Sequence, residues 1–106
     1  MIKVVAAIIR NNQNEIFIAQ RNQNKSQGGL WEFPGGKIEP NETENQAIIR
    51  EIKEELDMDI TVIDKYTEII YEYPDKTINL IVLNCQMNDN HYALLEHQDC
   101  VWTVPS

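Results

Sequence analysis

The chain has 106 residues, a formal net charge of −8 and 42% hydrophobic residues, which predicts one domain over residues 1–106 with one modest core. The acidic balance excludes the basic face that duplex nucleic acid requires, but it is compatible with a nucleotide that arrives with its own cation. Because the chain shows neither an apolar run near the ~20 residues that span a bilayer nor a signal peptide, we expect a cytoplasmic protein that does not contact the membrane.

The first third of the chain predicts two strands, a loop and a glycine turn. Residues 2–10 are almost continuously apolar, as in a strand buried on both faces, and a polar turn leads to a second strand at 15–20 that completes a hairpin. Residues 21–29 are polar and indicate a loop, and residues 30–33 a short extended segment. Pro34, Gly35 and Gly36 then predict a turn, because paired glycines allow positive φ and a close approach of the backbone to a ligand.

A helix is predicted to begin at Thr43 and to end near Asp57. Thr43 and Gln46 fit a capping box, and strong helix formers follow them. At about 100° per residue, one side of this helix is apolar and can face a core. The residues predicted on that side are Ile48, Ile49, Ile52 and Leu56.

Glu51, Glu54 and Glu55 share a separate sector of this helix, with Arg50 beside it. Their i,i+3 and i,i+4 spacing places like charges side by side, which costs roughly 0.2–0.5 kcal/mol per pair in an isolated helix. A hard divalent cation would remove this repulsion, because Mg²⁺ prefers carboxylate and carbonyl oxygens. A solvated acidic face is the alternative interpretation of the same residues.

The second half of the chain predicts four more strands. Residues 59–65 and 67–73 have the pattern of strands, residues 74–76 of a turn, and residues 77–85 of a buried strand that closes a second hairpin. Residues 87–98 are irregular and polar, and residues 99–103 predict a last short strand. Strands on both sides of one central helix indicate a mixed α/β fold, of the α+β type.

The two cysteines and two histidines of the chain give little indication of a metal site. Cys85 and Cys100 lack metal-ligand spacing and are too few for a disulfide framework, so reduced thiols are expected. His91 and His97 lack the spacing of a helical zinc pair and are interpreted as surface residues.

The glycines and the acidic helix together resemble a family signature. The positions that match in type and spacing are Gly36, Glu42, Arg50, Glu51, Ile52, Glu54, Glu55 and Met58. This arrangement is similar to that of the Nudix hydrolases, and the segment at 29–37 resembles the MutT branch, whose members sanitise nucleotide pools and so support DNA repair. The resemblance extends from Val4 to about Trp102.

The resemblance implies a mixed β-sheet with helices packed on its faces. Similar proteins continue into a further C-terminal helix, which is missing from this sequence. We therefore expect either a fragment or a second subunit, as in a homodimer, that covers the exposed face. Asp57 departs from the glycine that normally ends the family's helix, and an Asp in left-handed conformation is expected to weaken that helix end by about 1 kcal/mol.

The resemblance also implies an enzyme that hydrolyses nucleoside triphosphates to a monophosphate and pyrophosphate with Mg²⁺, or with Mn²⁺. Glu54 or Glu51 would act as the catalytic base. Arg50 is expected to orient Glu42 or Glu51 through an ion pair, with direct phosphate contact as the alternative. The implied metal-binding residues are Gly35, Glu51, Glu54, Glu55 and Glu96.

For the substrate, the resemblance implies contacts from Arg21, Glu32, Phe33, Pro34, Gly35 and Lys37. Arg21 matches an arginine that contacts the purine, residues 32–35 match a segment that lines the nucleoside pocket, and Lys37 is expected near phosphates. Arg21 as a surface charge and Phe33 as a core residue stay open. An oxidised purine triphosphate such as 8-oxo-dGTP is the favoured substrate. Pyrimidine triphosphates, a nucleotide-binding module without turnover and a small interaction domain are the alternatives.

Overall fold

The computed structural model describes residues 1–25 and 27–104; Ser26, in the predicted polar loop, and residues 105–106 lie outside this description. Within it, no helix has the length and apolar character to cross a membrane. Cys85 and Cys100 are free cysteines, as predicted. In chain order the elements are β1 (Ile2–Arg10), β2 (Ile16–Arg21), β3 (Trp31–Glu32), β4 (Gly35–Lys37), α1 (Glu44–Leu56), β5 (Ile60–Glu72), β6 (Thr77–Met87) and β7 (His97–Thr103).

All seven strands belong to one mixed sheet, which confirms the predicted fold class. The order is β3-β2-β1-β6-β5, while β4 pairs with β1 and β7 pairs with β2. The β1 and β6 strands are parallel, and both predicted hairpins, β1–β2 and β5–β6, are antiparallel. The predicted burial of β1 on both faces holds only in part, because Val5, Ala7, Ile8 and Ile9 are buried while Ile2, Val4 and Ala6 are partly exposed.

The predicted turn at Gly35 and Gly36 is wrong, since both residues lie in β4. They pair antiparallel with β1, where Gly36 lies opposite Val5, and the Pro34 carbonyl accepts a 2.9 Å hydrogen bond from the Ala7 amide. Positive φ is not the reason for glycine here; of the described glycines, Gly29 has that conformation. The reason is space, because a β-carbon on Gly35 would lie 1.9 Å from the Val5 carbonyl oxygen.

Helix α1 begins with the predicted capping box. The Thr43 hydroxyl accepts a 3.1 Å hydrogen bond from the Gln46 amide, and the Gln46 side chain accepts a 2.9 Å bond from the Thr43 amide. The residues of the helix that are buried are Ala47, Ile48, Ile52, Glu55 and Leu56.

Ile49 is the error in the predicted apolar face, because 45% of it is exposed. The buried side of α1 is rotated away from Ile49 and includes Glu55 instead, which is 6% exposed. Glu51 is four residues before Glu55 and so lies on the same side of the helix, which faces the sheet. The helix therefore presents part of its acidic sector to β4 and not to solvent.

The second half of the sheet is more continuous than predicted. Residues 60–72 form one strand, β5, in place of two, and its register against β6 shifts between Val62 and Asp64 and between Lys65 and Thr67. These irregularities resemble β-bulges, which let a strand bend without losing its pairing. Strand β6 runs on to Met87, and β7 begins at His97, two positions before the predicted start.

Asp57 ends α1 in the left-handed conformation, with φ 50° and ψ 39°, as predicted for this position. Its amide donates to the Lys53 carbonyl at 3.0 Å. Its carboxylate lies 2.8 Å from His91 Nε2 and 3.3 Å from Lys53 Nζ, and the hydrogen bonds from His91 and then Lys53 lower the pKa of Asp57. These contacts stabilise the aspartate that the backbone conformation disfavours.

The left-handed backbone at Asp57 predicts the relative stabilities of wild type, Asp57→Gly and Asp57→Ala. Both Asp57→Gly and Asp57→Ala lose the contacts to His91 and Lys53, which are half-exposed and so contribute little, but only Asp57→Gly also removes the steric conflict of the β-carbon. We expect the melting temperature to fall in the order Asp57→Gly, wild type, Asp57→Ala. Thermal unfolding followed by circular dichroism measures it, and a glycine variant that melts below wild type would contradict the expectation.

Candidate active site

Arg50 connects the acidic residues of α1 with the loop that precedes the helix. Its Nε and Nη2 bind the Glu42 carboxylate at 2.6 and 3.0 Å, and its Nη1 lies 3.0 Å from Glu51 and 3.3 Å from Glu54. Its Nη2 also donates to the Lys37 carbonyl at 3.1 Å. The predicted bridge from Arg50 to Glu42 and Glu51 is therefore confirmed, and these contacts, led by Glu42, raise the pKa of Arg50.

The carboxylate of Glu51 lies against the backbone of Gly36. A β-carbon on Gly36 would stand 2.5 Å from the Glu51 carboxyl carbon, so any side chain there would displace the carboxylate. Gly36 thus allows a group to approach the backbone closely, but the group seen here is a side chain of the protein and not the predicted ligand. This contact brings Glu51 beside Gly35, the other glycine of β4.

Glu55 is a carboxyl group in an unfavourable environment. It is 6% exposed, and this burial raises the pKa of Glu55 well above its usual range; the neighbouring Glu51, Glu96 and Glu32 add to the shift. Burial is the main cause of this pKa shift, and the nearby Glu51 carboxylate is the next. A protein that keeps a buried carboxyl group beside three other carboxylates holds negative charge that a cation would compensate.

Glu51 and Glu55 open into an acidic cavity of about 200 Å³. Lys25 and Glu96 also line this cavity, with Lys25 Nζ 3.6 Å from the Glu96 carboxylate. Glu54 is not among the described lining residues, and its side chain is 57% exposed beside Arg50. The cavity is lined by Arg21, Asn22, Lys25, Glu32, Gly35, Glu51, Glu55, Glu96 and His97.

The donor chemistry of this cavity fits a hard divalent cation. Carboxylates and a glycine carbonyl are the ligands that Mg²⁺ and Mn²⁺ take, and the pKa of Glu55 is raised first by burial and then by the neighbouring carboxylates. Across residues 1–25 and 27–104, no three acidic, histidine or cysteine side chains are yet grouped closely enough to hold a metal ion. Arg50 binds Glu51 and Glu54, and Lys25 pairs with Glu96, so cations of the chain itself hold these carboxylates.

A second, apolar cavity of about 360 Å³ adjoins the acidic one. Both share Arg21, Glu32 and Gly35, and Phe33 on its wall is 40% exposed and so not a core residue. Among the described residues, Pro34 is buried without lining either cavity, and Lys37 is exposed outside both. The apolar cavity is lined by Val4, Val5, Ala6, Arg21, Glu32, Phe33, Gly35, Gly36, Leu80 and Val82.

Comparison with known proteins agrees with this geometry. The family model of the NUDIX domain matches residues 5–106. The chain belongs to the Nudix family. It is 43% identical to an 8-oxo-dGTP diphosphatase of Proteus vulgaris over 73% of this chain and 69% of that protein. It is 42% identical to a CTP pyrophosphohydrolase of Escherichia coli over 99% of this chain and 77% of the other.

A solved structure supports the same assignment at the level of the fold. The MutT protein from Methanosarcina mazei superposes with a TM-score of 0.85 at 28% identity, over 97% of this chain and 76% of that one. Together with the family match and the diphosphatase relatives, this makes the chain a MutT-like Nudix hydrolase, as its sequence predicts.

The sequence prediction missed three residues that line the acidic cavity, which are Asn22, Lys25 and His97. His97 is the buried one. It was expected at the surface, but its side chain is 5% exposed, and its Nε2 lies 3.0 Å from Glu32 and 3.7 Å from Glu55. Strand β7 begins here, where a register shift in β2 aligns His97 with Arg21 and places it at the cavity. His91 is exposed, as predicted.

Glu32 receives two hydrogen bonds at the junction of the cavities. Arg21 Nη1 lies 3.2 Å from its Oε1, and His97 Nε2 lies 3.0 Å from its Oε2. Burial alone would raise the pKa of Glu32, but the hydrogen bonds from His97 and Arg21 outweigh it and lower the pKa. Glu32 and Glu55 are thus two neighbouring carboxyl groups whose pKa values the site moves in opposite directions.

The raised pKa of Glu55 predicts how the stability of the metal-free protein depends on pH. Between the ordinary glutamate pKa of 4.5 and the raised value, the folded state binds more protons than the unfolded state, so stability falls as pH rises. Glu55→Gln removes this loss. We expect it to stabilise the protein at pH 8 by more than about 1 kcal/mol, with little gain at pH 5.

Urea unfolding in EDTA from pH 5 to pH 8 measures this difference. Glu54→Gln is the matched control, because Glu54 is an exposed glutamate of the same helix that lies outside the acidic cavity. If the free energy of unfolding of Glu55→Gln depended on pH as that of wild type does, the loss of stability at high pH could not be assigned to Glu55.

Proposed function

We propose that this chain hydrolyses nucleoside triphosphates to a monophosphate and pyrophosphate with Mg²⁺, or with Mn²⁺ in its place, and that oxidised purine deoxynucleotides such as 8-oxo-dGTP are its main substrates. The observation that carries the proposal is the junction of an acidic cavity with an apolar one at Arg21, Glu32 and Gly35. A nucleotide has the matching shape, with a flat apolar base at one end and a chain of phosphates at the other. Removal of such nucleotides would protect the nucleotide pool.

In this proposal the cation binds in the acidic cavity. Gly35, through its carbonyl, and Glu51, Glu55 and Glu96 would hold the cation, with Glu54 as a further ligand from the rim. When bound, the cation neutralises phosphoryl oxygens and lowers the pKa of an attacking water. The buried carboxyl of Glu55 would give up its proton on binding, which makes affinity for the cation rise with pH.

The chain supplies the proton acceptor and its orientation. Glu51 or Glu54 takes the proton from the attacking water, and the position of Glu51 on the cavity wall favours Glu51. Arg50 contacts both carboxylates and is itself fixed by two bonds to Glu42, so it restricts their rotation. Arg50 lines neither cavity among the described residues, which favours an orienting role over direct phosphate contact.

The nucleoside part of the substrate binds in the apolar cavity. Phe33 presents a half-exposed ring on which a base can stack, and Val4, Ala6 and Leu80 provide apolar walls. Arg21 and Glu32 stand at the border of both cavities, where the sugar or the base edge would pass. Pro34 and Lys37 line neither cavity as the structure describes it, so their contacts with the substrate stay predictions.

Pyrimidine triphosphates are the second candidate substrates. The Proteus vulgaris relative is named for 8-oxo-dGTP, whereas the relative that aligns with nearly the whole chain is named for CTP. Direct comparison of the two nucleotides as substrates decides between these alternatives.

The experiment is pyrophosphate release from a panel of purine, oxidised purine and pyrimidine triphosphates with Mg²⁺. We expect turnover with the highest kcat/KM for 8-oxo-dGTP, and a fall in kcat of about 100-fold or more in Glu51→Gln. Glu44→Gln is the matched control, because Glu44 lies on the same helix but pairs with Lys65 away from the cavities. Nucleotide binding without turnover would support a binding module, and full activity of Glu51→Gln would contradict the mechanism.

A further inference from the structure

His97 is a buried histidine placed between two carboxyl groups that belong to different parts of the site. Glu32 lies on β3 at the border of the apolar cavity, and Glu55 lies on α1 on the wall of the acidic cavity. Glu32 and Glu55 are carried by separate elements of the fold. The Nε2 atom of His97, 3.0 Å from Glu32 and 3.7 Å from Glu55, joins them.

The two ring nitrogens of His97 have different surroundings. Nε2 faces carboxylate oxygens, which are acceptors, while Nδ1 is buried and has no hydrogen-bond partner among the described residues. A buried N–H without an acceptor is strongly disfavoured, so the ring hydrogen of the neutral form belongs on Nε2. In this tautomer Nε2–H donates to Glu32 and points toward Glu55.

The other oxygen of Glu32 is already bound. Arg21 donates to Oε1 and His97 donates to Oε2, so both oxygens of the carboxylate are fixed from opposite sides. Without His97, Glu32 could rotate about its remaining contact with Arg21. Glu55 would at the same time lose the one polar group on β7 that faces it at 3.7 Å.

We propose that His97 is a positioning residue that fixes Glu32 and Glu55 relative to each other and thereby aligns the nucleoside end of the site with the metal end. This inference rests on the proposed function, because it assigns His97 to the border between the two ends of a bound nucleotide. His97 acts through the two carboxyl groups and holds neither the cation nor the substrate itself. Residues that orient metal ligands in this way typically change affinity for the metal or activity by about 10–100-fold when they are replaced.

The test compares three variants. His97→Leu removes the donor, His97→Gln keeps an N–H near the position of Nε2, and His91→Leu removes the chain's other, exposed histidine as a matched control. Mn²⁺ binding without nucleotide is measured by electron paramagnetic resonance, and kcat and KM are measured with the preferred triphosphate of the panel. Melting temperatures report on folding.

We expect His97→Leu to weaken Mn²⁺ binding and to lower kcat/KM by about 10–100-fold each. His97→Gln should recover most of both losses, and His91→Leu should leave both unchanged. In the double variant with Glu32→Gln, the effect of His97→Leu on kcat/KM should shrink, because the contact between the two residues is already lost. Wild-type values in His97→Leu, or equal losses in His97→Gln and His97→Leu, would overturn the proposal.

Three further outcomes also decide the proposal. If His97→Leu does not fold, the ring tautomer of wild-type His97 in a two-bond ¹H–¹⁵N spectrum decides: a hydrogen on Nε2 supports the proposal, and a hydrogen on Nδ1 overturns it. If wild type binds Mn²⁺ in a His97-dependent way but cleaves no triphosphate, the proposed function fails and the positioning role at the metal end stands. If wild type does neither, both fall together.

Discussion

The β4 strand of this protein has no room for side chains at its two glycines. On one side, the backbone of β1 approaches Gly35 so closely that a β-carbon would meet the Val5 carbonyl oxygen at 1.9 Å. On the other side, the Glu51 carboxylate occupies the space that a side chain of Gly36 would need. The acidic helix can therefore lie directly against the sheet, and the two cavities meet at Gly35 because of this close packing.

Charge balance is the second constraint on the site. One arginine, Arg50, serves Glu42, Glu51 and Glu54, and it leaves Glu55 buried with a raised pKa beside further carboxylates. A buried carboxyl group beside other carboxylates lowers the stability of the metal-free protein. Active sites often carry such destabilising groups, because their function requires them. Under the proposed function, a cation that enters the acidic cavity would restore this charge balance.

Local signals in the sequence predicted the features that depend on local interactions. The capping box at Thr43 follows from residues close together in the chain, and the structure confirms it. The left-handed end at Asp57 and the bridge from Arg50 to Glu42 were predicted from the resemblance to the Nudix signature, and both are present in the structure. The resemblance to the family signature also predicted a mixed sheet, and the structure confirms it.

The errors concern residues whose environment is set by distant parts of the chain. Gly35 and Gly36 have the composition of a turn, but pairing with β1 makes them a strand. Ile49 has the right periodicity for the core, yet the close approach of Glu51 to Gly36 rotates α1 and leaves Ile49 exposed. His97 is buried because β7 pairs with β2 with a shift in register at Arg21. No local sequence pattern predicts that shift. Each error reflects tertiary packing that outweighs local preference.

The most direct test of this account is a titration of ¹⁵N-labelled protein with Mn²⁺, in which the paramagnetic ion broadens the amide signals of nearby residues. The account predicts that Gly35, Gly36, Glu51 and Glu55 broaden first. Asp64, Asp75 and Asp89, which lie elsewhere on the acidic surface and away from the acidic cavity, serve as internal controls in the same spectrum. Broadening that spreads equally over these aspartates, or that spares the β4 glycines, would contradict the claim that the glycine strand and the acidic helix together form a cation site.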